Sequence, residues 1–154
     1  HDDIGWNYRL TNLQAALGYS QLKRLNKFVK IKRKIGDFYW SHLKDYKNIQ
    51  LPLKKIKNST NIYWVFSIIL KNNISAKKII NLMNKEKIEC RPFFFPLNEQ
   101  PIIKKLKLNN KGDFSISKKL WKKGFYIPSG IGTSKKELAT VIKKLNKIFL
   151  KLKI

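Results

Sequence analysis

Three short segments combine groups that grip anions with glycine, proline and aromatic neighbours that fix a backbone. They are Gly5-Trp6-Asn7-Tyr8-Arg9, Arg91-Pro92-Phe93-Phe94-Phe95-Pro96-Leu97-Asn98-Glu99-Gln100-Pro101, and Phe125-Tyr126-Ile127-Pro128-Ser129-Gly130. Asn7 offers a neutral amide, which donates to an anion without bringing its own charge. Arg9 and Arg91 carry planar guanidinium forks that match phosphate or carboxylate two bonds at a time. The chemistry these residue types suit is anion and sugar binding. Packing is the competing account: Asn7 can cap a helix, and Phe93 to Phe95 can be core. With one Cys and two His in the chain, neither a disulfide framework nor a zinc-ligand spacing is present, and no metal site is expected.

The elements around these segments follow from hydrophobic spacing. Leu10 to Leu22 has no charged residue in a chain that is 28% charged, with small Ala15, Ala16 and Gly18 among leucines on several sides. A helix apolar or small nearly all round is a buried one, so this helix is expected inside an interface. After Lys23 the spacing turns amphipathic, with Leu25, Phe28, Val29, Ile35, Phe38, Tyr39 and Leu43 continuing the helix to about His42. Pro52 and the polar run Lys54 to Asn61 predict a loop. The β-branched and aromatic run Ile62 to Leu70 predicts a central strand, Ile88 to Phe95 a second, and Gly124 to Ile127 a short third. Ser75 caps a short helix with Ala76, Ile79, Ile80 and Met83 on one face. Ser134-Lys135-Lys136-Glu137 is a capping box opening a last helix striped by Leu138, Val141, Ile142, Leu145, Ile148, Phe149 and Leu152. The fold class expected is α+β: long helices on a small, mostly antiparallel sheet.

Charge bounds the partners. Lys+Arg number 34 against 9 Asp+Glu, a formal net charge of +25. Only four of the basic residues are arginines, and the lysine pairs are spread along the whole length. Abundant Lys, Ile and Asn are what an AT-rich genome produces. A nucleic-acid footprint clusters, favours Arg and sits beside a binding motif, so genome bias is preferred and a basic nucleic-acid-binding module stays as the alternative. The apolar run Ile62 to Leu70 is far short of the roughly 20 residues of a membrane span. The sequence is therefore expected to be a cytoplasmic piece of a longer protein.

At these residues a family resemblance appears. Gly5-x-Asn7-x-Arg9-Leu10-Thr11-Asn12-Leu13-Gln14-Ala15-Ala16-Leu17-Gly18, followed by Gln21-Leu22, resembles the signature of the DegT/DnrJ/StrS sugar aminotransferases. Arg91 to Pro101 is similar to that family's R-P-x-F-x-P-L-H-x-x-P loop, and Gly124 to Ser129 to its G-x-x-L-P-S turn. The motifs occur in the family's order along essentially the whole chain.

The resemblance implies the C-terminal small domain of a fold type I, pyridoxal-phosphate (PLP) transferase. Residues 1–28 would be an interface segment and helix leading out of a large PLP domain, and residues 29–154 the small α+β domain. The Schiff-base lysine would fall before this chain, so no lysine here is given the catalytic role, and the piece alone is expected to be inactive. The resemblance places Asn7 on the cofactor phosphate across a homodimer interface, with Tyr8 and Arg9 in the same shared site. It places Arg91, Phe95 and Asn98 near the substrate. Asn98 departs from the family's usual His, and an amide cannot transfer a proton as imidazole does. The implied reaction moves an amino group from an amino acid, usually glutamate, to a 4-keto-6-deoxy sugar on a nucleotide diphosphate, for surface polysaccharide or amino-sugar biosynthesis. Arg91-Pro92-Phe93-Phe94 and Tyr63-Trp64 look most like the perosamine synthetases, which use a GDP-linked sugar. The family's dehydratases, in which that lysine is replaced, and an inactive remnant are the alternatives within it.

Overall fold

The computed structural model describes residues 5–108 and 112–154, so residues 1–4 of the expected interface segment lie outside the described residues. Helix α1 spans Asn12–Leu22 and α2 Leu25–Leu43. Strand β1 (Ile49–Gln50) is followed by the hairpin β2 (Lys55–Ile56) and β3 (Ser59–Thr60), then by β4 (Phe66–Leu70) and α3 (Ala76–Lys85). Strand β5 (Arg91–Pro92), a single 3-10 turn at Leu97–Glu99, α4 (Pro101–Lys105) and α5 (Ser115–Lys123) lead to β6 (Gly124–Ile127) and α6 (Lys135–Lys151).

The sheet is antiparallel throughout, in the order β1-β4-β6-β5. Strand periodicity sends Phe66, Ile68 and Leu70 of β4 and Phe125 and Ile127 of β6 to one face, where all five are buried. Helices α2, α3 and α6 close that face with Tyr39, Leu43, Ile79, Met83, Leu145 and Phe149. Each such side chain stabilises the fold by about 1.5–3 kcal/mol through area removed from water. The opposite face carries Ser67, Tyr126 and Arg91 in one cross-strand row, since Ser67 pairs with Tyr126 and Tyr126 with Arg91. This second face is the one left open for a ligand.

The α+β class, the Ser75 cap, β6 and the Ser134–Glu137 capping box are as the sequence predicts. Four local expectations are corrected, and three elements are added. The single long helix is two, because at Arg24 the backbone bond shortens to Gln21 (3.0 Å) before α2 begins. The predicted strand at Ile62 starts only at Phe66: Asn61 Oδ1 accepts from the Tyr63 amide at 2.7 Å, and Tyr63 turns left-handed at φ 51°. Ile88 to Phe95 shrinks to Arg91–Pro92, because Pro92 has no amide to extend a ladder and fits only an edge strand. The predicted loop Lys54 to Asn61 contains the β2–β3 hairpin. Helices α4 and α5 and strand β1 were not predicted. The start of α5 is nonetheless written locally, since the Asp113 carboxylate accepts from the Ser115 amide (2.9 Å) and hydroxyl (3.0 Å).

Helix α1 stands apart from this core. Its N-terminus is satisfied by a Thr11–Gln14 capping box, and none of its residues is buried within this chain. Trp6, Tyr8, Leu10, Leu13, Leu17, Tyr19 and Leu22 are all exposed, and burial begins only around Phe28 and Val29 in α2.

Candidate functional site

The open face of the sheet supports a tract of two adjoining grooves, and a third adjoins the second beyond the sheet. One, of about 460 Å³, is bounded by Lys32, Trp64, Glu89, Arg91, Tyr126 and the Pro128–Gly130 turn. It joins two of the sequence-predicted segments. A second, about 560 Å³ and more apolar, holds Phe93, Phe94, Phe95, Leu120 and Trp121, and shares Val65 and Tyr126 with the first. A third, about 440 Å³, takes in Asn98 beside Ile103, Leu108 and Phe114.

Arg91 reaches the tract because β5 pairs with β6 in a register that sets it opposite Tyr126. Its Nε and Nη2 both donate to one oxygen of Glu89, at 2.9 and 2.8 Å. The expected anion grip is thus already paired with a carboxylate, and an incoming anion would share the guanidinium with Glu89. Phe95 is fixed edge-on against Trp121, with ring centroids 4.8 Å apart. Asn98 is half-buried in the 3-10 turn after the buried Pro96.

The Gly5–Arg9 segment lies elsewhere. Asn7, Tyr8 and Arg9 are exposed, and none of them lines the three grooves. Asn7 Oδ1 accepts from the Arg9 amide at 3.0 Å and from Arg9 Nε at 3.1 Å. This Asx turn commits the amide oxygen of the exposed Asn7 to Arg9 and sets its NH2 on the same short segment as the Arg9 cation. A neutral donor with an adjacent positive charge suits a phosphate. Among the described residues the Gly5–Arg9 segment and the groove residues are separate, and none of these three grooves contains both.

Lys32 was not expected in the site. Its Nζ donates to the carbonyl oxygens of Trp64 (3.0 Å) and Ser129, with Ser129 Oγ at 3.4 Å. Burial holds the Lys32 ammonium below the usual lysine range. Two turns further along α2, the Tyr39 hydroxyl donates to Pro128 O at 2.6 Å. Burial, and after it the neighbouring Cys90, push the Tyr39 pKa well above the ordinary phenol value. The buried Cys90 thiol is itself pushed up to about 12, first by burial and then by Glu89, which keeps it an inert core group. One face of α2 therefore holds both turns that flank the first groove. The i, i+7 spacing of Lys32 and Tyr39 was the available signal, hidden among the many lysines.

Two close approaches set the aromatic walls. A Cβ at Gly36 would collide with the Tyr63 ring, and one at Gly124 with the Phe93 ring. Tyr63 adopts its left-handed conformation, worth about 1–2 kcal/mol of strain for a side-chain-bearing residue, and buries its ring over Gly36. Trp64, the next residue, is thereby turned outward and is 70% exposed.

Among the described residues no helix is long and apolar enough to cross a membrane, and no cluster of three His, Cys, Asp or Glu could hold a metal.

Comparison with known proteins gives these features a context. The sequence pattern of the DegT/DnrJ/EryC1/StrS aminotransferase family matches residues 1–146. A GDP-perosamine synthase of Vibrio cholerae is 35% identical over 135 residues, which is 86% of this chain and 35% of that protein. Among solved structures, Helicobacter pylori PseC, an aminotransferase involved in the biosynthesis of pseudoaminic acid, superposes with a TM-score of 0.84 at 18% identity, over 97% of this chain and 40% of its own. The E. coli GDP-4-keto-6-deoxy-D-mannose-3-dehydratase with bound hydrated PLP gives 0.75 at 22% identity, over 92% and 36% respectively. At these identities the two structures establish the shared fold. The chain spans 35% to 39% of the length of the curated relatives it matches first.

Proposed function

This chain belongs to the DegT/DnrJ/EryC1/StrS aminotransferase family, and from that premise we propose that it forms the C-terminal part of a nucleotide-sugar aminotransferase. The cofactor is pyridoxal phosphate. When bound, it supplies the electron sink that lets an amino group leave an amino acid and be passed to a keto sugar. Residues 1–28 form the interface arm and residues 29–154 the small domain, with the Schiff-base lysine outside this chain.

The carrying observation is the Gly5–Arg9 turn followed by the uncovered, apolar α1. Asn7 would hold the cofactor phosphate through its NH2, while Arg9, which fixes the Asn7 amide oxygen, would take the anionic part of the sugar nucleotide, with Tyr8 lining the same place. Exposed leucines on α1 are covered in the complete protein by its other domain and a second subunit, giving a homodimer with shared sites. Arg91, Phe95 and Asn98 bind the nucleotide sugar along the groove tract, and Asn98 serves as a hydrogen-bonding group only. A GDP-linked sugar is the substrate class favoured, because one relative is a GDP-perosamine synthase; 4-keto-6-deoxymannose as the sugar and glutamate as the donor follow from the family resemblance. A dehydratase of the same family is the second reading, and the product decides it: an amino sugar or a 3-deoxy sugar.

Single-turnover kinetics of the full-length protein, following the PLP absorbance, test the assignment. Arg9→Lys keeps the charge but loses the planar fork, so kcat/KM for the sugar nucleotide falls about ten- to a hundredfold, or about 1.4–2.7 kcal/mol. The glutamate half-reaction changes less, and a Lys77-Lys78 double alanine variant changes neither. Unaltered kinetics in Arg9→Lys, with slowing in the lysine variant, would remove the site from this segment.

A further inference from the structure

Trp64 and Phe94 are two large, exposed rings of the groove tract that stack on one another. Trp64 stands on the first groove and Phe94 on the second, either side of the shared Val65 and Tyr126. Their planes lie 9° from parallel with centroids 6.5 Å apart, and they are 70% and 74% exposed. Neither is held there by its own burial. Trp64 is turned out by the left-handed Tyr63, whose ring is locked over Gly36, and its carbonyl is gripped by Lys32. Phe94 follows Phe93, whose amide bonds Gly124 O at 3.1 Å and whose ring packs on Gly124; two residues later the chain is fixed by the buried Pro96. Strained backbone that presents an exposed aromatic ring is a feature of ligand sites.

The groove beside Trp64 is cationic, with Lys32 and Arg91 against the single carboxylate of Glu89. Parallel aromatic faces next to positive charge match a flat base joined to phosphates. We propose that Trp64 and Phe94 form the stacking platform for the base of a nucleoside diphosphate, with the diphosphate directed along the first groove toward Arg91 and Lys32. This rests on the nucleotide-sugar reading above and adds to it the residues that take the base.

The test is calorimetric titration of the full-length protein with GDP, and with inorganic pyrophosphate as the probe that lacks a base. Trp64→Ala and Phe94→Ala each weaken GDP binding about ten- to a hundredfold, the range of a lost base–aromatic stack. Pyrophosphate binding is unchanged, and Trp64→Phe retains GDP binding within severalfold of the unaltered protein. GDP affinity unchanged in both alanine variants overturns the platform. So does an equal loss of GDP and pyrophosphate, which would mean that the rings only shape the groove. Should Trp64→Ala fail to fold, Phe94→Ala carries the same comparison. PLP uptake, read from absorbance in the same samples, is scored separately: a protein that takes up no PLP defeats the aminotransferase reading, while the GDP series still decides the platform.

Discussion

Helices α1 and α6 are built from similar local signals and meet opposite fates. Each opens with a capping box, Thr11 with Gln14 and Ser134 with Glu137. Each is long enough for several turns and rich in apolar residues. Yet α6 buries Leu138, Val141, Ile142, Leu145, Ile148 and Phe149, whereas α1 buries nothing within this chain. The difference is angular. In α6 the apolar residues recur every three or four positions and its lysines take the opposite side, so one face matches the sheet and α2. In α1 leucines, alanines and Gly18 surround the axis, which suits a helix enclosed by partners on several sides. Capping makes both sequences helical; only the distribution of apolar groups says what each will meet.

The sharpest way to break this contrast is a pair of truncations. Leu145→Ala is expected to cost about 2–5 kcal/mol, because a fully buried site cannot collapse to fill the cavity. Leu17→Ala, on a 65% exposed residue, should change the stability of this chain by less than about 0.5 kcal/mol. Urea unfolding of both variants is the measurement, and equal effects would mean that α1 packs on the domain after all. In the full-length protein Leu17→Ala should instead weaken subunit association, seen by sedimentation.

A smaller effect is expected at Gly36 in α2. Gly36→Ala forces the Tyr63 ring out of its place, an overpacking cost of about 1–3 kcal/mol. The matching change in α1, Gly18→Ala, meets open space and should leave this chain as stable or slightly more so, since alanine is the better helix former. Thermal melts compare the two, and a loss at Gly18 larger than at Gly36 would reverse the assignment of which helix belongs to the core.

The smallest effect is electrostatic. Lys144 lies outside the α6 stripe, as its spacing predicts, but it is not a free surface lysine: it pairs with Glu86 at the C-terminus of α3, with Lys147 at 3.9 Å. The hydrogen bond and charge of Lys144, and then the charge of Lys147, hold the Glu86 carboxyl below the usual carboxylate range. A depressed carboxylate adds stability that is present above its ordinary range and is lost as pH falls through the lowered value. The difference in urea midpoint between the unaltered chain and Glu86→Gln should therefore be positive at neutral pH and vanish in acid. A difference independent of pH would show that the pair is not ionic. Helix α1 has no acidic residue and should show no such dependence.

Much of the molecule follows from sequence because the deciding interactions span only a few residues. The Ser75 and Ser134 caps, the α6 stripe, β6 and the α+β class are of this kind. So is the Asn7–Arg9 turn, in which the motif residues bond to one another. Other features required the folded chain. Ile62 to Val65 has the composition of a strand, but the Tyr63 ring fits against Gly36 only if the backbone turns left-handed, and that contact crosses 27 positions. Lys32 is indistinguishable from the other lysines until α2 is laid beside Trp64 and Ser129. Arg91 reads as a free anion grip, although the Glu89 that pairs with it stands only two residues away in sequence. Local hydrogen bonds and helical periodicity are determined by neighbours in sequence. Which ring faces out and which lysine is buried are determined by residues that only packing brings within reach.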